Sequence, residues 1–137
     1  MDRLFDLPVY DKYEAKRLNP QVLAFVGDAV YTLFIRHKMA SEHNLKSGEL
    51  HKLTTEYVKA SGQSDLSIKL MPLLSEEEVE VFKRGRNYKT NSVSKNGKVT
   101  DYKRATGFEA LVGYLYLSGD YDRINQLFEE ITHENWR

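Results

Sequence analysis

The sequence lacks cysteine altogether and has no apolar run long enough to cross a lipid bilayer. Without cysteine, the chain can form neither disulfides nor a cysteine-ligated zinc site. The longest apolar stretch, residues 22–35, contains Asp28 and is shorter than the roughly 20 residues that a membrane helix requires. The first residues also lack the basic and apolar regions of a signal peptide. These absences predict a cytoplasmic protein with no membrane partner.

The chain has 20 basic and 20 acidic residues, but the two signs are unevenly distributed. Residues 83–104 contain eight basic residues and one acid, so this segment carries a charge of +7 and the rest of the chain carries −7. A concentrated basic segment in a neutral protein is typical of a localised contact with a polyanion. A solvated loop without a partner is the simpler interpretation of the same residues.

Apolar residues recur at helical spacing in five segments, and none of these alternates in the manner of a strand. Two segments carry helix start signals: Asn19-Pro20 is an N-cap followed by proline, and Ser75 begins a capping box with Glu78. The second predicted helix is compatible with a break near Gly62. The five predicted helices begin near Pro20, Gly48, Ser75, Asp101 and Tyr121.

The helical period is absent between about residues 85 and 100, where Asn, Ser, Thr, Gly and Lys predominate. This composition predicts one long basic loop, either mobile or folded as a short hairpin around the turn signal Asn96-Gly97. The chain length is typical of one domain with one core. We therefore expect a single all-α domain over residues 1–137, a helical bundle with the basic loop at about residues 85–100.

Two of the predicted helices carry an acid among small and apolar neighbours. Asp28 follows Gly27 in the stretch VGDAV, and Glu109 lies in ATGFEALVGYLYL, one turn before Gly113. A glycine on each helix would let the two backbones approach closely. Two carboxylates in a water-poor cleft repel each other unless a cation lies between them, and Mg²⁺ prefers such oxygen ligands. An ion pair with a neighbouring arginine or lysine is the alternative interpretation of each acid.

The residues around both acids resemble signature motifs of the ribonuclease III family. LAFVGDAVYTLFIR is similar to the family's signature helix, and ATGFEALVGYLYL is similar to its second metal-binding helix. LKSGELHKLTTEYV, between them, resembles a third helix of the family, and the resemblance covers about residues 19–120. No segment is left for the double-stranded-RNA-binding domain of larger members, which is typical of the compact Mini-ribonuclease III branch. The resemblance implies the all-α endonuclease domain of this family.

The resemblance also implies roles for individual residues. Asp28 and Glu109 take the places of the family's catalytic carboxylates that bind the metal, which implies Mg²⁺ as cofactor with Mn²⁺ as a substitute. The resemblance implies that Gly27, Thr106 and Gly113 support the site. Acids of larger members are replaced at four positions, which are Gln21, Ala24, Ser47 and Thr106. Fewer protein ligands are therefore expected for the metal.

The implied function is endonucleolytic cleavage of double-stranded RNA by a homodimer, leaving 5′-phosphate ends. The implied substrate is the precursor of 23S ribosomal RNA, with a ribosomal protein as a further partner on that RNA. We expect basic residues in and beside the loop to contact RNA phosphates in place of the missing domain. These residues are Lys83, Arg84, Arg86, Lys89, Lys95, Lys98, Lys103 and Arg104.

Two other functions are compatible with the sequence. A non-catalytic helical protein that binds RNA or assists ribosome assembly would keep this shape with fewer acids. A helical protein-interaction module would bury Asp28 in a pair with an arginine and would need no nucleic acid. The four histidines have no metal-ligand spacing, and the sequence contains neither a His-Glu-x-x-His motif nor a P-loop.

Overall fold

The structure, a computed structural model, describes residues 3–88 and 98–135, with side chains as far as Ile131. Within these ranges no strand occurs, so the predicted all-α fold class is confirmed. A short 3₁₀ turn, Met71–Leu73, lies between α4 and α5. The helices are α1 (Lys12–Arg17), α2 (Pro20–Glu42), α3 (Ser47–Val58), α4 (Ala60–Leu70), α5 (Glu76–Asn87), α6 (Val99–Leu117) and α7 (Tyr121–Asn135).

Helix α6 is the centre of the fold. Its middle is buried on nearly every side, and α2, α5 and α4 all pack against it. Aromatic residues fill the space beside it: the Tyr31 ring meets the Phe108 ring edge-on, with centroids 5.0 Å apart, and also contacts Phe128. None of the described helices is long and apolar enough to span a membrane. The core is therefore organised around one apolar helix that carries Glu109 in its second half.

The backbones of α2 and α6 touch where the two helices cross. A Cβ atom added at Gly27 would lie on top of the Glu109 carbonyl oxygen and 2.7 Å from the Gly113 nitrogen. One added at Gly113 would overlap the Leu23 carbonyl oxygen and lie 3.1 Å from the Gly27 nitrogen. Only glycine leaves room for this approach at either position. The crossing therefore fixes the distance between the helices that carry Asp28 and Glu109.

Capping residues explain where most of the helices begin. The Asn19 side chain accepts a hydrogen bond from the Gln21 N–H, and Pro20 occupies the first turn of α2. Ser75 and Glu78 form the predicted capping box of α5. The sequence analysis missed α1, although Asp11 and Glu14 form a second capping box at its start. With only six residues, α1 has too little apolar periodicity to be recognised by that signal.

Two predicted boundaries differ from the structure. The long second helix is broken at Lys59, not at Gly62, because Lys59 is the one extended residue between α3 and α4. Gly62 lies inside α4, where an added Cβ would lie 2.5 Å from the Glu56 carbonyl oxygen. The predicted loop is also shorter than expected at both ends, since α5 continues to Asn87 and α6 begins at Val99. Lys89, Lys95 and the rest of residues 89–97 lie outside the described residues.

Long-range polar contacts attach the outer helices. Arg123 of α7 donates two hydrogen bonds of 2.8 Å to the buried carboxylate of Glu78, at the start of α5. Arg84 of α5 donates to the carbonyl oxygens of Lys16 and Leu18, at the end of α1. These contacts hold α1 and α7 against α5.

We predict that Gly27→Ala lowers the free energy of unfolding by at least about 3 kcal/mol, because the new methyl group meets backbone atoms that cannot move aside individually. Urea denaturation followed by circular dichroism measures this change. Gly48→Ala is the matched control, since no atom lies within 4 Å of a Cβ there, and we expect it to be neutral or stabilising by up to about 1 kcal/mol. Equal stability of Gly27→Ala and the wild type would contradict the backbone contact.

Candidate active site

The crossing of α2 and α6 brings the two predicted carboxylates together. Asp28 follows Gly27 on α2, and Gly27 packs directly against the backbone of Glu109 on α6. The Asp28 side chain is exposed, Glu109 is half-buried, and their carboxyl groups lie within hydrogen-bonding range of each other. The two acids, 81 residues apart in the chain, thus form one pair with one side open to solvent.

The surroundings of Glu109 favour its neutral form. Burial raises the pKa of the Glu109 carboxyl, and the neighbouring Asp28 carboxylate raises it further, to about 8. The hydrogen bond from Gln63 acts in the opposite direction, because it stabilises the ionised form. Without a cation, the pair therefore holds two negative charges only at a cost in free energy.

Gln63 of α4 is a residue of this site that the sequence analysis missed. It is only 2% exposed, and its Nε2 donates to the Val58 carbonyl oxygen at 2.8 Å and to Glu109 Oε2 at 3.2 Å. Its spacing to Leu66 and Leu70 places it on the apolar face of α4. A polar side chain at such a position is the signal that could have pointed to a buried partner.

A solvent-accessible cavity of about 280 Å³ opens beside the acid pair. Its wall includes Arg86 and Lys103, two of the basic residues expected to contact RNA, together with polar and apolar groups from α2, α5 and α6. Three of the positions at which the resemblance implies replaced acids also line it. The lining residues are Gln21, Ala24, Phe25, Asp28, Gly85, Arg86, Tyr88, Tyr102, Lys103, Thr106 and Glu109.

The other expected residues have different environments. The Thr106 hydroxyl donates to the Tyr102 carbonyl oxygen at 3.0 Å within its own helix, so it does not donate to Glu109. Arg84 makes its two hydrogen bonds to the end of α1, away from the cavity. The remaining described basic residues do not line the cavity: Lys83 and Lys98 are exposed and Arg104 is half-buried.

The donor set fits a hard divalent cation held by few protein ligands. Both candidate ligands are carboxylates, whose oxygen atoms suit Mg²⁺, and the mutual repulsion that raises the pKa of Glu109 would be relieved by a cation between them. The described residues contain no cluster of three or more metal-ligating side chains. The open cavity leaves room for the water and phosphate oxygens that commonly complete the shell of Mg²⁺.

The salt bridges give no support to a buried pair of Asp28 with an arginine. In the part of the chain that the structure describes, the ion pairs involve other carboxylates, such as Glu78 with Arg123 and Asp120 with Lys12. Asp28 is exposed at the cavity wall instead of being enclosed. The geometry therefore favours a site that meets a ligand over a structural ion pair.

Comparison with known proteins identifies the class of protein to which this fold and site belong. The family model described as "Ribonuclease III domain" matches residues 21–120, which include both carboxylates, both crossing glycines and Gln63. A match over this share of the chain shows membership, so the chain belongs to the ribonuclease III family.

Within the family, the relatives are Mini-ribonuclease 3 proteins. The chain is 49% identical over 112 residues to the one from Thermoanaerobacter sp. (strain X514), covering 82% of this chain and 79% of the relative. It is 44% identical over 125 residues to that of Clostridium tetani, covering 90% and 83%. A crystal structure of a Fusobacterium nucleatum protein superposes with a TM-score of 0.79 at 28% identity, covering 90% of this chain and 98% of that one. The resemblance to the Mini-ribonuclease 3 branch is thus confirmed.

We predict that the metal-free protein loses stability as the pH rises from about 5 to about 8. Because the pKa of Glu109 is raised in the folded state, folded chains bind more protons than unfolded chains in this window, and the free energy of unfolding falls with pH. Glu109→Gln has no such proton, so its stability relative to the wild type should increase by on the order of 1–3 kcal/mol across the window.

Thermal unfolding in EDTA, measured for both proteins at several pH values, tests this prediction. All other titrating groups are shared, so the difference between the two curves reports the raised pKa of Glu109 together with its coupling to the Asp28 charge. If the stability of the two proteins changed with pH in the same way, the pKa of Glu109 would not be raised.

Proposed function

We propose that this protein is a metal-dependent endoribonuclease that cleaves double-stranded RNA, with Asp28 and Glu109 as its catalytic carboxylates. The observation that carries the proposal is the meeting of these two acids beside an open cavity whose wall includes the basic residues Arg86 and Lys103. Members of the ribonuclease III family act on double-stranded RNA and generally use divalent metal ions. We further propose that residues 1–137 work as one catalytic domain.

Asp28 and Glu109 are the residues that would hold the metal, Mg²⁺ by preference and Mn²⁺ as a substitute. When bound, such an ion supplies a hydrolytic water of lowered pKa and neutralises charge at the scissile phosphate. Glu109 would act in its ionised form, which a cation favours by removing the repulsion from Asp28. Hydrolysis would leave a 5′-phosphate on one product and a 3′-hydroxyl on the other.

Arg86 and Lys103 are placed to position the RNA. Both line the cavity that contains the acid pair, so each can neutralise a phosphate next to the bond that is cut. Lys83, Lys98 and Arg104, together with Lys89 and Lys95 in the undescribed segment, form the rest of the proposed RNA-binding set. Gly27 and Gly113 support the site through the helix crossing, and Thr106 supports it as part of the cavity wall.

The proposed substrate is the precursor of 23S ribosomal RNA in the cytoplasm, with a ribosomal protein as a further partner on that RNA. This assignment rests on the likeness to Mini-ribonuclease 3 proteins. The A-form geometry of duplex RNA suits contacts to phosphates and 2′-hydroxyls, without bases that are splayed out. Tyr88 and Tyr102 in the cavity wall are therefore assigned to packing.

An apolar face formed by α2 with parts of the N-terminal segment, α6 and α7 supports a homodimer. We define this face as Leu4, Phe5, Phe25, Val26, Ala29, Val30, Leu33, Tyr116, Tyr121 and Ile124, which line a groove of about 670 Å³. Phe25 is 80% exposed and Leu33 is 56% exposed, although both lie on the helix that forms the core crossing. Large exposed apolar patches mark interaction surfaces. Since Phe25 also lines the acid cavity, a second copy on this face would lie next to the active site.

We predict that Asp28→Asn lowers cleavage of long duplex RNA by at least about a hundredfold in Mg²⁺, because it removes one of the two carboxylates that the described residues bring to the site. Gel electrophoresis of the products, with Mg²⁺ or EDTA, measures cleavage, and a mobility-shift assay measures RNA binding, which should be retained. Asp65→Asn, the same change at an exposed aspartate outside the cavity, is the matched control and should cleave normally.

The same assay distinguishes the remaining alternative. Asp28→Asn with near wild-type turnover would refute the assignment of Asp28. A wild-type protein that shifts RNA without cutting it would favour the non-catalytic RNA-binding function, which is compatible with the four replaced acids.

We predict that Leu33→Glu converts a dimer to a monomer, because a charge would be buried without a partner within the apolar face. Light scattering coupled to size-exclusion chromatography measures the mass in solution. Ile68→Glu is the matched control, since Ile68 is also about half exposed, at 52%, but lies on α4 outside the apolar face. A Leu33→Glu protein that remains dimeric would assign the interface to another surface.

A further inference from the structure

We propose that Gln63 is the positioning residue of the metal site, where its side-chain amide holds the Glu109 carboxylate in the orientation that receives the cation. The inference rests on the proposed function, since it concerns the same carboxylates. It adds a neutral residue from a fourth helix, α4, to a site otherwise built from α2, α5 and α6.

The geometry makes Gln63 a link between a fixed backbone atom and a catalytic carboxylate. One and the same Nε2 donates to the Val58 carbonyl oxygen at 2.8 Å and to Glu109 Oε2 at 3.2 Å. Val58 is the last residue of α3, so this end of the link is held by the junction of α3 and α4. At 2% exposure, the Gln63 side chain has little freedom to turn away from Glu109.

A neutral donor is suited to this position. It restrains Glu109 without adding a third negative charge to a pair whose members already repel each other. A basic side chain would form an ion pair with Glu109 and compete with the cation. Gln63 therefore orients the carboxylate while leaving its charge available to the metal.

The carbonyl oxygen of the Gln63 amide makes no stabilising contact that would explain why glutamine occupies this position. Its Oε1 is buried and, among the described residues, has no hydrogen-bond partner, and the same is true of the Ser64 hydroxyl beside it. A buried polar atom without a partner costs free energy. Methionine, which has nearly the same shape and no such oxygen, is therefore expected to fill the space without a large loss of stability.

Gln63→Met tests the proposal because it removes both hydrogen bonds and keeps the volume. Calorimetric titration with Mn²⁺ alone, without RNA, should give a dissociation constant raised about tenfold over the wild type. The Mg²⁺ concentration for half-maximal cleavage should rise to the same extent, whereas KM for duplex RNA at saturating Mg²⁺ should stay unchanged. Ser64→Ala is the matched control: it changes a neighbouring buried polar residue whose hydroxyl makes no hydrogen bond to Glu109, and it should leave the metal affinity unchanged.

Unchanged Mn²⁺ affinity in a folded Gln63→Met protein would overturn this inference and leave the proposed function intact. If the wild type bound no divalent metal at all, both would fall. Should Gln63→Met not fold, the wild type gives a second measurement, the NMR signals of the Gln63 side-chain amide during titration with Mg²⁺. These signals should shift in step with metal binding, and a lack of any shift during binding would overturn the proposal.

Discussion

The direct contact between the backbones of α2 and α6 is the constraint on which the rest of this structure depends. Gly27 and Gly113 have no side chain between the helices, so a carbonyl oxygen of each helix occupies the place where the other would carry a Cβ. Because Asp28 follows one of these glycines and Glu109 lies one turn before the other, the crossing sets the position of both acids. A wider crossing would separate the carboxylates and leave an exposed Asp28 and a half-buried Glu109 without contact between them.

The same contact imposes an electrostatic cost. Burial and the Asp28 charge both raise the pKa of Glu109, so the folded protein holds a pair that resists full ionisation. Packing elsewhere in the core stabilises the fold enough to sustain this local strain, since α6 is buried along most of its length. An unfavourable pair of charges that a cation can relieve is the physical basis of the metal site proposed for this chain.

Neutral side chains surround the acid pair, three of them at positions where the resemblance implies acids in larger family members. Gln21, Ala24 and Thr106 line the cavity. Gln63 donates a hydrogen bond to Glu109 from α4. The basic residues Arg86 and Lys103 line the same cavity, and Phe25 is shared between the cavity and the apolar face. Catalysis, RNA contact and dimer formation are therefore proposed for adjoining surfaces around the crossing of α2 and α6.

Features that depend on a few neighbouring residues were predictable from the sequence. The starts of α2 and α5 follow from caps within four residues, and the acids and glycines of α2 and α6 are visible as interruptions of an apolar pattern. Tertiary structure alone decided that Lys59 ends α3, that Arg84 holds α1, and that Gln63 reaches Glu109 across 46 positions. Such contacts depend on the packing of whole helices: a polar residue on an apolar face can signal a buried partner, but the pattern does not say which distant residue that partner is.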